Sequence, residues 1–150
     1  MKMYAQLEKP YYNFFRNLHP DTLEEVRWAK EEGIWRVDEE EGFEILKELG
    51  ERLSNIYDIP APTLEKGPRE VYYPYREHIE VPKVSLVSYL HEFRHHMQHH
   101  GMQHYDDKEV DARGWSMSAF RYALPENFDS AWRRGLIWFL PEYDPGEVEV

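Results

Sequence analysis

The sequence predicts an α+β fold, several helices packed on a small mixed β-sheet in one domain spanning residues 1–150, and three observations lead there. Helix-start signals stand ahead of apolar stripes at helical spacing. A proline-bounded stretch between Thr63 and Pro82 is rich in β-formers. A chain of 150 residues with no internal repeat and 15% aromatics can build one core, burying roughly two-thirds of the surface its unfolded form would expose.

The first helix is expected after Pro20, with Asp21 as N-cap, Glu24 three residues on, and Gly33 as the stop. A second starts at the Asp38 cap, with Glu41 completing a capping box. It carries Phe43, Leu46, Leu49, Leu53 and Ile56 toward the core before Pro60 and Pro62 end it. Val71, Tyr72, Tyr73, Ile79 and Val81 suggest two short strands turning near Pro74–Glu77, with prolines marking an edge able to pair with an extended peptide. A third helix, Ser85–His100, has Ser85 as its cap, Gly101 as an αL stop, and Leu86, Leu90, Phe93 and Met97 as its buried stripe. A fourth must stop before Pro125, and Phe128, Trp132, Leu136 and Phe139 fit one more amphipathic series ending at Pro141. Residues 1–35 read as an N-terminal helical extension whose Tyr11, Tyr12, Phe14 and Phe15 suit core or oligomer contact, and residues 144–150 as a flexible tail.

Within the third helix stands His91-Glu92-Phe93-Arg94-His95, which spells HExxH. Residues four apart lie one helical turn apart on the same face, so the two imidazoles can close on one ion. His91 and His95 fall opposite the apolar stripe, turned toward a cleft. Glu92 points to a neighbouring face, where it can hold a water and take its proton as a general base without being a ligand.

A catalytic zinc site of this kind needs a third protein ligand, and residues 106–115 offer several carboxylates. At 100° per residue, Ala112, Trp115, Ser116, Ala119, Phe120 and Ala123 share one face; Glu109 lies within about 50° of its centre and Asp111 about 110° away. Glu109 is therefore the expected ligand. Asp111 is expected at the flank or behind the ligands, where it would orient a histidine Nδ1–H, and it stays the competitor if the connection between the helices is not tight.

HExxH followed by a helix carrying Glu109-Val110-Asp111-Ala112 resembles the gluzincin branch of zinc metallopeptidases, and the short chain is similar to minimal gluzincins and ImmA/IrrE-like metallopeptidases. The resemblance covers about residues 40–125. It implies a zincin-like fold with Val71–Val81 beside the cleft, Zn2+ on His91, His95 and Glu109, Glu92 as base, and hydrolysis of peptide bonds. Arg94 departs from the pattern, standing where many members carry glycine. A metzincin is excluded because its third histidine would fall at Gly101.

Six histidines lie between His91 and His104. His99 is two turns beyond His91, too far to share its ion, and His96 and His100 leave the His91/His95 face and suit a helix C-terminus. His104, Tyr105, Tyr122 and Tyr143 are candidates for stabilising an oxyanion. A net charge of −11 argues against nucleic acid as a partner, while the field attracts cations and basic peptides. With no cysteine, no disulfide or thiolate metal site is available. The apolar run Leu136–Leu140 is too short for a bilayer and the N-terminus lacks the apolar core of a signal, so a cytoplasmic protein without membrane association is expected. Two other functional classes remain open at this point. One is a zincin-fold regulatory or interaction module that binds zinc without turnover; the other is a structural protein whose histidines merely collect metal.

Overall fold

The computed structural model describes Phe15 and residues 18–135. Tyr11, Tyr12, Phe14, Tyr143, the expected turns through Leu136 and Phe139, and the acidic tail lie outside the described residues. Among the described residues the architecture is α+β, five helices against a three-stranded mixed sheet.

The first helix, Pro20–Glu31 (α1), begins where expected but with a different cap. His19 Nδ1 accepts from the Asp21 backbone N–H at 3.1 Å, and Asp21 lies inside the first turn. Pro20, with φ already fixed and no N–H to satisfy, occupies the first helical position and moves the cap back to His19. Helix α2, Glu39–Tyr57, is capped as expected by Asp38, whose Oδ1 accepts from Glu41 N at 2.9 Å. Leu46, Leu49 and Leu53 are buried, with Phe43 and Ile56 packed at the margin.

The expected pair of strands is three. Thr63–Lys66 (β1) lies parallel to His78–Val81 (β3), and Val71–Tyr73 (β2) pairs with β3 antiparallel, giving the order β1-β3-β2. Central β3 is buried throughout its length, whereas β1 is mostly exposed and exists through its register with β3, Leu64 opposite Ile79. Strand β2 has β3 on one side only, so its other edge faces the cleft described below.

Helix α3, Leu86–His99, lays Leu86, Leu90, Phe93 and Met97 on the core. Ser85 Oγ accepts from Ser88 N at its start. At its end Gly101 adopts φ +90°, and the bonds Gly101 N→Gln98 O and Met102 N→Met97 O, both 2.9 Å, form a Schellman stop. Helix α4, Lys108–Ala123, is capped by Asp107, whose side chain accepts from Glu109 N and Val110 N. Its Ala112, Trp115, Ser116, Ala119, Phe120 and Ala123 are all buried as expected, but so are Asp111, Gly114, Met117 and Ser118, so α4 is enclosed on more than the one face that periodicity marked. Pro125–Arg133 (α5) follows at once, burying Phe128 against Phe120. No helix among the described residues is long and apolar enough to cross a membrane.

Between α3 and α4 lies a polar knot inside the core. Arg94 and Asp111 are 5% and 0% exposed, with Arg94 Nε donating to Asp111 Oδ2 at 2.8 Å. The guanidinium also lies 5.1 Å from the Phe15 ring centroid and 5.6 Å from that of Trp115. Asp111 further accepts from Gln98 Nε2 and from the backbone N–H groups of His104 and Tyr105, at 2.8–2.9 Å. The arginine inside the HExxH motif is thus satisfied by a carboxylate, and that carboxylate holds the α3–α4 connection tight.

Candidate metal centre

The HExxH spacing on α3 sets the His91 and His95 rings side by side, centroids 5.0 Å apart, on the face away from the apolar stripe. Both remain partly open, at 16% and 15% side-chain exposure. Because the Asp107 cap fixes where α4 begins, Glu109 occupies its first turn and its carboxylate reaches both rings. Oε1 lies 3.1 Å from His91 Nε2, and Oε2 lies 2.9 Å from His95 Nε2. Two ligands about 2.0–2.1 Å from a tetrahedral ion lie about 3.3 Å apart. The two observed separations, to different oxygens of Glu109, fall just inside that spacing, and one ligand atom from each of the three residues lies within 4.8 Å of the others, so the group could hold a divalent ion.

The tautomers fit as well. Gln98 Nε2 donates to Asp111 Oδ2 and to Lys108 O, which turns Gln98 Oε1 toward α3, where it accepts from His95 Nδ1 at 2.8 Å. With its proton on Nδ1, His95 presents a lone pair at Nε2, the atom facing Glu109. Asp111 therefore takes the second of its two expected places, behind the ligands, where it orients His95 through Gln98 and not directly, and it is fully buried there. The Arg94 guanidinium offsets the cost of burying it.

Electrostatics favour charge separation within the cluster. The hydrogen bond from His91, opposed by burial and aided by the charges of His91, His95 and Arg113, holds Glu109 down to about 2. Burial works against protonated His91, yet its hydrogen bond to Glu109 and the nearby Glu92, Glu109 and Glu70 carboxylates raise it on balance. Glu92 behaves in the opposite sense. Only 4% exposed, it is pushed up to about 7, first by burial and then, against the pull of His91, by Glu70 and Glu109 and a hydrogen bond with Glu70.

These groups line a cleft of about 450 Å³ whose walls include Glu70, Val71 and Tyr72 of the β2 side, His91, Glu92, His95 and His99 of α3, and Lys108 and Glu109 of α4. Glu70 arrives there because the Glu80 carboxylate accepts from Arg69 N at 2.9 Å and from Tyr73 OH at 3.0 Å, clamping the turn before β2. Gly67 leaves to that carboxyl group the space its own Cβ would fill. Sequence reasoning passed over Glu70, Gln98 and Tyr72. Gln98, three residues beyond His95 on the same helix, was the one that spacing marked.

The remaining candidates fall elsewhere. His99 lines the cleft, with its ring beside Tyr72 and His100. His104 and Tyr105 stack near Phe15 and, like Tyr122, are not among the residues lining the cleft. Comparison of the chain with protein-family models, with curated proteins and with solved structures finds no match.

Proposed function

We propose that this protein is a zinc-dependent metallopeptidase of gluzincin type, with His91, His95 and Glu109 as metal ligands and Glu92 as general base. The observation that carries the reading is the convergence of two imidazole Nε2 atoms and one carboxylate within hydrogen-bond distance, beside a buried glutamate, at the wall of an open cleft. A bound zinc ion supplies Lewis acidity there, polarising a carbonyl and making water easier to deprotonate.

The chain's own residues provide the rest. Glu92 adjoins His91 in sequence but leaves the ligand face, so it can take a proton from water and return it to a departing amine. Gln98 keeps His95 in the tautomer that binds metal through Nε2. The free edge of β2 offers backbone groups with which an extended peptide can pair, drawing its carbonyl across the cleft.

The test is Glu92→Gln, which preserves shape and removes the basic oxygen. The variant should hold one zinc ion at the His91/His95/Glu109 site and keep its fold while hydrolysis of flexible peptides falls by about 10²–10⁴-fold. If the wild type with that site fully loaded cleaves nothing in a diverse peptide library, the peptidase reading is lost. A zinc-binding module without turnover is then the surviving account.

A further inference from the structure

The i, i+4 histidine spacing of the cleft pair recurs at the end of α3 on another face, between His96 and the C-cap His100. These two rings repeat what His91 and His95 do at the cleft, with ring centroids 4.9 Å apart and planes at 75°, against 5.0 Å and 78° for the first pair. A carboxylate stands opposite this pair as well. Glu77, at the end of the β2–β3 turn, places Oε1 3.0 Å from His100 Nε2 and 4.0 Å from His96 Nδ1. One donor atom from each of the three residues fits within a sphere of contacts no wider than 4.8 Å.

Three features mark this cluster as more than solvated helix-end histidines. His96 is 0% exposed, and its Nε2 lies 2.7 Å from the Pro60 carbonyl, an acceptor only, so the ring proton sits on Nε2 and Nδ1 is left as an acceptor, with Glu77 Oε1 4.0 Å from it. The nitrogen lone pair and the carboxylate are both acceptors, and a cation between them satisfies both. The neighbouring Tyr72 hydroxyl, 2.7 Å from Nδ1, supplies a proton to that lone pair when no ion is present. Glu77 is also one of two non-glycine residues with positive φ among the described residues, at +47°, a conformation that a glutamate adopts at a cost and that aims its side chain back at α3. Finally, His96 and His100 occupy the last turn and the C-cap of α3, where the helix dipole favours positive charge.

We propose that Glu77, His96 and His100 form a second divalent-cation site, distinct from the one at the cleft. Two imidazoles and a carboxylate are a donor set suited to zinc, nickel or copper(II), with less affinity for magnesium or calcium. Such an ion would tie the β2–β3 turn to the end of α3. Tyr72, which lines the cleft while bonding to His96, would lose its acceptor on metal binding, so loading this site changes one wall of the other.

The experiment is zinc binding to the full chain, counted by equilibrium dialysis and elemental analysis, in wild type and in His100→Ala, Glu77→Gly, His99→Ala, His91→Ala and the double variant His91→Ala/His100→Ala. His100 is partly exposed and glycine suits the φ of residue 77, so both site variants should fold, which circular dichroism checks. The expected result is one ion fewer than wild type in His100→Ala and in Glu77→Gly and none lost in His99→Ala, while His91→Ala loses only the cleft ion and the double variant His91→Ala/His100→Ala loses both. That outcome supports the second site whatever becomes of the first, since the first site's ion disappears only where His91 is replaced. Full zinc retention in His100→Ala or Glu77→Gly, or an equal loss in His99→Ala, overturns the proposal in favour of adventitious binding by the histidine cluster.

Discussion

Asp111→Asn tests the physical role assigned to the buried knot between α3 and α4. The substitution keeps shape and removes a charge that is 0% exposed and matched to the 5% exposed Arg94. Of the five hydrogen bonds that reach the carboxylate, those from His104 N and Tyr105 N share Oδ1 and survive on the amide oxygen. A longer one from Arg94 Nη2, 3.4 Å, also meets Oδ1, while those from Arg94 Nε and Gln98 Nε2 meet Oδ2, where an amide NH2 would oppose donor to donor. Removing one partner of a buried pair costs about 3–5 kcal/mol, because the other charge is left uncompensated. At about 2–4 °C per kcal/mol for a chain of this size, the melting temperature should fall by about 6–20 °C. Thermal unfolding followed by circular dichroism in chelator measures this, and repetition with excess zinc reads the site. Zinc binding should weaken, since the knot holds the first turn of α4, and with it Glu109, against α3, yet it should remain saturable at the cleft. Glu109→Ala should lose that ion outright. A melting temperature within 2 °C of wild type, roughly 1 kcal/mol, would refute the assignment of Asp111 as a structural anchor. The double variant Arg94→Met/Asp111→Asn, which removes both charges and keeps an oxygen for His104 N and Tyr105 N, should recover part of the loss.

Three further outcomes follow from particular contacts. Gln98→Ala removes the acceptor that holds the His95 tautomer, and zinc affinity at the cleft, measured by competition with a chelating dye, should fall by about 10–100-fold; unchanged affinity would show that His95 needs no such support. Glu80 is held below the ordinary carboxylate range by the Arg69 backbone N–H, opposed by desolvation and aided by Tyr73. A depressed acid stabilises the fold above its unfolded pKa and ceases to as pH drops through its folded value, so the stability gap between wild type and Glu80→Gln should be widest near neutrality and close on acidification; a gap that widens in acid would contradict this. Gly50→Ala would gain about 1 kcal/mol on helix propensity alone, but its Cβ would collide with the buried Tyr89 hydroxyl, so denaturant unfolding should show net destabilisation, relieved when combined with Tyr89→Phe.

The parts of this molecule that sequence made legible are those written in local patterns. The α3 stripe of Leu86, Leu90, Phe93 and Met97, the caps at Asp38 and Ser85, and the Gly101 stop each depend on neighbours within a turn or two, and each lies where the residues place it. The geometry of α4 likewise put Glu109 toward α3, and the structure brings its carboxylate to His91 and His95. What escaped was non-local or ran against a general tendency. Strand β1 has no alternation of its own and is a strand because β3 pairs with it. Asp111 was expected at the flank or behind the ligands from its angle on the helix; its complete burial is explained only by Arg94, seventeen positions away. Glu70 reaches the cleft on a turn whose course is set by Glu80, and His19 caps α1 because Pro20 follows it. Glu77 belongs to a turn that the β-formers on either side located without indicating which way its side chain faces.

The central claim is that His91, His95 and Glu109 hold one divalent ion, and the most direct test is an anomalous difference map at the zinc absorption edge from crystals grown with zinc. The account predicts a peak about 2.0–2.1 Å from both Nε2 atoms and from one oxygen of Glu109, with Glu92 and Asp111 outside the coordination sphere. A peak ligated by Asp111 in place of Glu109, or density scattered over His96, His99 and His100 with none between His91 and His95, would contradict it.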